Sequence, residues 1–105
     1  MPSSKPRYSP VEYWRLANAA LPLLPQLLPR WLPDGRRIGA EWVARNPTRD
    51  DSTLGSFKFN LRTGRWADFA TGDKGGDAIS LIAYIRGISQ YEAAQILADD
   101  LETQS

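Results

Sequence analysis

Apolar and polar residues alternate in the middle of the chain, where Phe57 and Phe59 flank Lys58. A period of two is typical of a β-strand that buries one face. The pattern predicts three strands, at residues 36–45, 56–60 and 65–69. The segment Leu61-Arg62-Thr63-Gly64 predicts a hairpin turn between the second and third strands. We therefore expect a small antiparallel sheet of about three strands with one apolar and one polar face.

The first predicted strand has a side that we assign to the core. This side carries Ile38, Ala40, Trp42 and Ala44. Large aromatic side chains dominate small cores, so Phe57 and Phe69 are also expected to be buried.

Helix signals flank the predicted sheet. Ser9-Pro10-Val11-Glu12 is a capping box with proline at the first helical position, and it predicts a helix over residues 10–20. Asp77 is interpreted as the N-cap of a helix over residues 78–86 that Gly87 ends. A second capping box, Ser89-Gln90-Tyr91-Glu92, predicts a helix to about residue 101. The fold class is therefore predicted to be α+β.

Four prolines, at positions 22, 25, 29 and 33, interrupt the leucine-rich segment after the first helix. Proline inside a helix removes a hydrogen bond, so we expect only a short helix with Pro22 or Pro25 in its first turn. Its leucines are assigned to the core, and a partner-binding helix is the alternative. We expect a single domain over residues 1–105, in which residues 1–33 form a helical N-terminal extension of residues 36–105.

The chain of 105 residues contains neither cysteine nor histidine. These absences exclude a disulfide framework, an ordinary zinc site and histidine-based acid–base catalysis. The acidic residues that could hold a metal ion are assigned to loops and form no metal-binding motif: Asp50, Asp51, Asp68, Asp73 and Asp77. We therefore expect no enzyme activity, no cofactor and no metal. Without a membrane-spanning run or a secretory signal, the protein is expected to be cytoplasmic, with no membrane partner.

Charge is distributed unevenly although the net charge is only +1. Residues 1–75 hold 12 Lys+Arg and 7 Asp+Glu, a balance of +5, whereas residues 76–105 hold 1 and 5, a balance of −4. A basic front favours contact with a polyanion, and the alternative is that both parts are solvated faces of a neutral domain.

Four segments occur in a fixed order: Asn46-Pro47-Thr48-Arg49, Ser56-Phe57, Phe69-Ala70-Thr71-Gly72 and Gly75-Gly76-Asp77-Ala78-Ile79. This order, within residues 40–99, resembles the zinc-ribbon (CHC2-type) domain at the N-terminus of bacterial and phage DNA primases. In that family the first and third segments are the metal-binding knuckles, C-P-x-C or C-P-x-H and C-x-x-C. The resemblance implies a zinc-ribbon-like, metal-free DNA-binding fold, in which apolar packing and the N-terminal helices replace zinc. The expected contributors to that packing are Trp14, Leu21, Leu24, Leu28 and Trp31.

The polar face of the predicted sheet is the candidate binding surface. Proteins that bind single strands combine a cationic groove for phosphates with aromatic platforms for bases. In the resembled family the sheet surface helps to contact single-stranded template DNA. The candidate nucleic-acid-binding residues are Arg45, Arg49, Lys58, Arg62, Arg65, Trp66 and Lys74. Trp66 is the stacking platform in this interpretation, and a core residue in the alternative.

Two functions therefore stay open. One is a non-catalytic accessory protein of DNA replication or priming that binds single-stranded DNA, is encoded by a phage, plasmid or integrated mobile element, and works beside a primase, helicase or polymerase. The other is a protein-interaction module that uses the same fold as an adaptor or inhibitor of a replication or defence complex. The basic sheet favours DNA.

Overall fold

A computed structural model describes residues 8–50 and 55–104 of the chain. The described elements, in chain order, are α1 (Pro10–Ala20), a 3-10 turn (Leu21–Leu23), α2 (Leu24–Trp31), β1 (Arg36–Ile38), β2 (Glu41–Ala44), β3 (Phe57–Asn60), β4 (Trp66–Asp68), β5 (Lys74–Gly75), α3 (Ala78–Arg86) and α4 (Gln90–Gln104). The fold is α+β, as the sequence predicts. Asp51, in the predicted loop, lies outside the described residues.

The sheet has five strands rather than about three, and each strand pairs antiparallel with the next along the chain. The predicted first strand is in fact two strands, β1 and β2. Gly39 interrupts it with a φ of 62°, in the left-handed region that glycine enters without steric cost. At the other edge, Lys74 pairs with Ala67 to form β5. A strand of two residues is too short to carry a periodic signal.

The turn at Gly39 changes the face on which Ile38 lies. Ile38 is opposite Glu41 in the register, and residues that are directly opposite share a face of the sheet. Ile38 therefore lies with Glu41 on the polar face of the sheet, which we call the open face. It is 51 % exposed, so its assignment to the core is wrong. Trp42 lies on the other face, where it is half-buried and its indole nitrogen donates to the Leu32 carbonyl at 3.0 Å.

The core lies between the helices and the face of the sheet opposite the open face. Its largest fully buried apolar side chains come from the sheet, from α2 and from the C-terminal helices: Phe57, Phe59, Leu24, Leu27, Leu28, Ile79, Leu81, Ile82 and Leu97. The assignment of the α2 leucines to the core is therefore confirmed for Leu24 and Leu28. Their burial joins the N-terminal helices and the sheet in one hydrophobic cluster.

Helix α1 packs on the core through one side, which does not include Trp14. Its inner side carries Tyr13, Leu16, Ala17 and Ala20, which pack against the core at helical spacing. Val11 and Trp14 lie on the outer side and are 55 % and 66 % exposed. The expectation that Trp14 is buried is wrong, because α1 packs on α3 and α4 through its inner side.

The predicted caps are confirmed. Ser9 and Glu12 form the reciprocal hydrogen bonds of a capping box, and so do Ser89 and Glu92. The Asp77 carboxylate accepts from the Ser80 N–H at 2.8 Å and caps α3. Helix α4 continues to Gln104, three residues beyond the predicted end. Among the described residues, no helix is long and apolar enough to cross a membrane.

Candidate functional site

Basic residues recur on every second strand across the open face of the sheet. The strand register places one residue of each strand in a single row, in the order Arg36, Val43, Lys58, Ala67 and Lys74. Neighbouring strands are about 4.8 Å apart, so consecutive basic residues of this row are separated by roughly 10 Å. Small or apolar residues lie between them. The row therefore presents three cations at regular intervals on one face.

A groove of about 300 Å³ crosses this face over strands β2 to β5. We call it the sheet groove and define it by the residues that line it and that could contact a ligand: Glu41, Lys58, Asn60, Arg65, Phe69 and Lys74. Three of the six are cations. The floor includes Ala67 and Gly75, whose small size keeps the groove open.

Phe69 is the exposed aromatic residue of the sheet groove. Its ring is 71 % exposed, and the Lys58 ammonium lies 5.6 Å from the ring centroid. Alternation along β4 explains the exposure, because Trp66 and Asp68 face the core and Ala67 and Phe69 therefore face outward. The expectation that Phe69 is buried is wrong, whereas the same expectation for Phe57, which is 2 % exposed, is confirmed.

Trp66 belongs to the core and not to the open face. It is only 4 % exposed, and its indole nitrogen donates to the Ser80 hydroxyl at 3.0 Å. Its ring packs against Tyr84, with the centroids 4.8 Å apart, and lies so close to Gly75 that a Cβ there would be 2.5 Å from it. Trp66 borders the sheet groove but has almost no exposed surface there. A stacking platform needs an open ring face, so the prediction of that role for Trp66 is corrected.

The other predicted binding residues lie elsewhere. Arg62 is exposed on the hairpin turn and borders a separate depression beside Leu21 and Arg37. Arg49 is directed inward, because its guanidinium forms an ion pair with Asp68 at 3.0 Å. Arg45 is exposed beyond the end of β2. Of the seven predicted residues, the sheet groove thus brings together the cations Lys58, Arg65 and Lys74.

Three residues of the open face were not among the binding residues predicted from the sequence: Arg36, Glu41 and Phe69. Arg36 joins the row only because the chain turns at Gly39, and a positive φ at a lone glycine leaves no periodic signal. Phe69 follows Trp66 by three residues, so strict alternation from a buried Trp66 would have placed it outward.

A hydrogen-bonded polar cluster lies behind the sheet groove, on the core side of β4. The Asn46 amide donates to Asp68 and to the Tyr84 hydroxyl, both at 2.8 Å, and Tyr84 donates to Asp73 at 2.6 Å. Burial by itself would raise the pKa of Asp68. The hydrogen bonds from Asn46 and from the Ala70 N–H, together with the Arg49 charge, outweigh burial and hold this pKa below its usual value.

The residues that the sequence resemblance aligned with metal-binding knuckles do not fit a zinc ion. Asn46 uses its amide in the polar cluster, Arg49 is cationic, and Phe69 and Gly72 have no donor atom on their side chains. Tetrahedral zinc sites are built from thiolates and imidazoles. In the part of the chain that the structure describes, no three acidic side chains converge where a metal ion could bind.

Comparison of the chain with models of known protein families and with curated proteins found no match. Its function is therefore inferred from the sheet groove and its surroundings.

Proposed function

We propose that this protein is a non-catalytic accessory factor of DNA replication or priming, and that single-stranded DNA binds in the sheet groove. The observation that carries the proposal is the exposed Phe69 ring beside Lys58, in a groove that also contains Arg65 and Lys74. An exposed phenyl ring offers a stacking surface for a base, and the surrounding cations attract the phosphates on either side.

The distribution of charge supports an anionic ligand on this face. Arg36, Lys58 and Lys74 form the row across the open side of the sheet. Residues 76–105, which include α3 and α4, have a balance of −4. A polyanion is repelled by the helical side and attracted by the sheet, so the charge orients the protein on its ligand.

The exposed ring favours a single strand over a duplex. In a duplex the faces of the bases are stacked on one another and are not available to Phe69, whereas an unstacked base has a free face. The resemblance of residues 40–99 to primase zinc ribbons supports a role beside a primase, helicase or polymerase, in the cytoplasm of a host that carries a phage, plasmid or integrated element.

A protein-interaction module is the second candidate, and the outer side of α1 favours it. Val11 and Trp14 are exposed at helical spacing, and a depression of about 190 Å³ lies between Trp14, Leu21 and Gly64. An exposed tryptophan beside a depression is a common anchor in protein interfaces. This surface is separate from the sheet groove, so the two functions can be tested independently.

The deciding experiment is binding of a labelled single-stranded oligonucleotide of about 12 nucleotides, measured by fluorescence anisotropy over a range of salt concentrations. We expect binding that weakens steadily as salt rises, and weaker binding to a duplex of the same sequence. An oligonucleotide that never binds, even at low salt, would reject the DNA proposal and leave the α1 surface as the functional one.

A further inference from the structure

Glu41 is a carboxylate in a groove whose other charged residues, Lys58, Arg65 and Lys74, are cations. It lies on β2, with Lys58 and Arg65 lining the same sheet groove. In the described part of the chain, the ion pairs are those of Arg30 with Asp100 and Arg49 with Asp68, so Glu41 is not neutralised by either neighbouring cation. A negative group at this place lowers the affinity for phosphates. We therefore looked for a contact that a carboxylate could make with another part of a nucleotide.

Asn60 stands directly opposite Glu41 in the strand register. The Asn60 side-chain oxygen accepts from the backbone N–H groups of Arg62 at 2.8 Å and Thr63 at 3.1 Å. These bonds fix which end of the amide is oxygen, so the NH₂ group is the end available to a ligand. Register partners have Cβ atoms about 5 Å apart. Glu41 and Asn60 thus offer an acceptor and a donor side by side.

The order of the strands gives this pair a direction. Arg65 extends this row, because the Asn60 N–H donates to the Arg65 carbonyl at 2.7 Å, so the groove presents Glu41, then Asn60, then Arg65. A nucleotide whose phosphate is held by Arg65 extends the hydrogen-bonding edge of its base toward β3 and β2. Asn60 then meets the part of that edge nearer the sugar, and Glu41 meets the part farther away.

Bases differ at these two places. Cytosine and adenine carry an exocyclic amino group, a donor, at the far position and a ring nitrogen that accepts at the nearer one. Thymine, uracil and guanine carry a carbonyl oxygen at the far position and a ring N–H at the nearer one. A carboxylate accepts well from the cytosine amino group, whereas it repels a carbonyl oxygen.

We infer that Glu41 and Asn60 make the sheet groove selective for amino bases, cytosine and adenine, over keto bases. This inference rests on the proposed binding of single-stranded DNA. It assigns to Glu41 the role of reading the amino group and to Asn60 that of donating to the neighbouring ring nitrogen, while Lys58, Arg65 and Lys74 hold phosphates of any sequence.

The test compares oligo(dC) with oligo(dU), each about 12 nucleotides long. At the position far from the sugar, cytosine carries an amino group and uracil carries a carbonyl oxygen. The native protein should bind oligo(dC) about tenfold more tightly than oligo(dU). In Glu41→Gln the affinities for oligo(dC) and oligo(dU) should become about equal. The glutamine amide can donate to the uracil oxygen as readily as it accepts from the cytosine amino group. Binding of oligo(dU) should become tighter in this variant, because the repulsion is removed.

Two further variants complete the design. Asn60→Asp keeps the acceptor for the N–H groups of Arg62 and Thr63 but removes the donor, so it should also reduce the preference. Asp99→Asn removes the same charge from the exposed side of α4 and should leave the preference unchanged. Melting temperatures confirm that each variant is folded.

The outcomes separate the inference from the function on which it rests. Equal binding of oligo(dC) and oligo(dU) by the native protein, or a preference that persists in Glu41→Gln, overturns base selection and leaves DNA binding intact. Failure to bind either oligonucleotide overturns the proposed function, and base selection with it.

Discussion

Lys58 and Phe69 meet on the open face of the sheet, with the Lys58 ammonium 5.6 Å from the centroid of the Phe69 ring. They belong to adjacent strands, since Phe69 follows the end of β4 and Lys58 lies in β3. A cation near an aromatic face is attracted by the ring quadrupole, which here holds a phosphate-binding group beside a base-stacking group. The pair therefore combines both elements of single-strand recognition in one place.

Replacing Phe69 with alanine should weaken binding of single-stranded DNA by about 1–3 kcal/mol, the contribution of one stacked base. Because the ring is 71 % exposed, its removal should barely change the free energy of unfolding. Anisotropy titrations and urea unfolding measure the two effects. Unchanged binding in Phe69→Ala would show that the ring is not a platform.

The opposite result is expected for Trp66. Its ring is buried against Phe57 and Tyr84, so Trp66→Ala should destabilise the fold by about 3–5 kcal/mol. At a temperature where the variant is still folded, binding should change little. Phe69→Ala is the matched control, since it removes an aromatic ring of the same sheet from the other face. A variant as stable as the native protein would contradict the placement of Trp66 in the core.

The helices could be predicted from sequence because their signals are local. A capping box lies within four residues, and Ser9 with Glu12 and Asp77 with Ser80 form their bonds without help from the rest of the fold. The polar face of β3 was predictable for the same reason, since Lys58 lies between two apolar neighbours in the chain. These features depend on spacing alone.

The sheet groove depends on longer-range relationships. Which side of α1 turns inward is decided by packing on α3 and α4, so Trp14 could not be placed from its spacing. The positions of Arg36 and Glu41 depend on a register that Gly39 sets through its backbone conformation. Lys74 joins the row through pairing with Ala67, which no period in the sequence encodes. The sequence contains these residues, but it does not show that they lie on the same face of the sheet.

Reversing the charge of Lys58, Arg65 and Lys74 together should strongly weaken binding to oligonucleotides of unrelated sequence. It should also flatten the plot of log affinity against log salt by roughly 0.7 for each lost phosphate contact. The fold should survive, because Arg65 and Lys74 are exposed and Lys58 is partly exposed.

A matched control for this variant reverses three arginines outside the sheet groove, Arg15, Arg62 and Arg86, all of them exposed. The change in net charge is the same, so long-range attraction falls equally in both variants. The slope against salt should fall clearly more in the groove variant. Equal slopes in the two would mean that binding follows net charge and that the groove has no special role.

The buried Asp68 should make folding sensitive to acid. Its pKa in the folded protein is lower than in the unfolded chain, so the unfolded chain binds the proton more readily. The stabilisation is therefore fully present above about pH 4, the ordinary value for an aspartate, and is lost as the pH falls through the lower folded value. Below that value Asp68 is protonated in both states and contributes no charge to stability.

Asp68→Asn should remove this part of the pH dependence. The amide keeps the shape of the side chain but loses the charge that pairs with Arg49 at 3.0 Å, so the neutral-pH free energy of unfolding should fall by about 1–3 kcal/mol. Urea unfolding from about pH 6 to about pH 2 measures both effects, with Asp99→Asn as the exposed control. The curve of Asp68→Asn should approach that of the native protein at the acid end, because protonation removes the charge there as well. A variant with native stability at neutral pH and a native slope in acid would show that Asp68 does not hold the loop of Asn46 to β4.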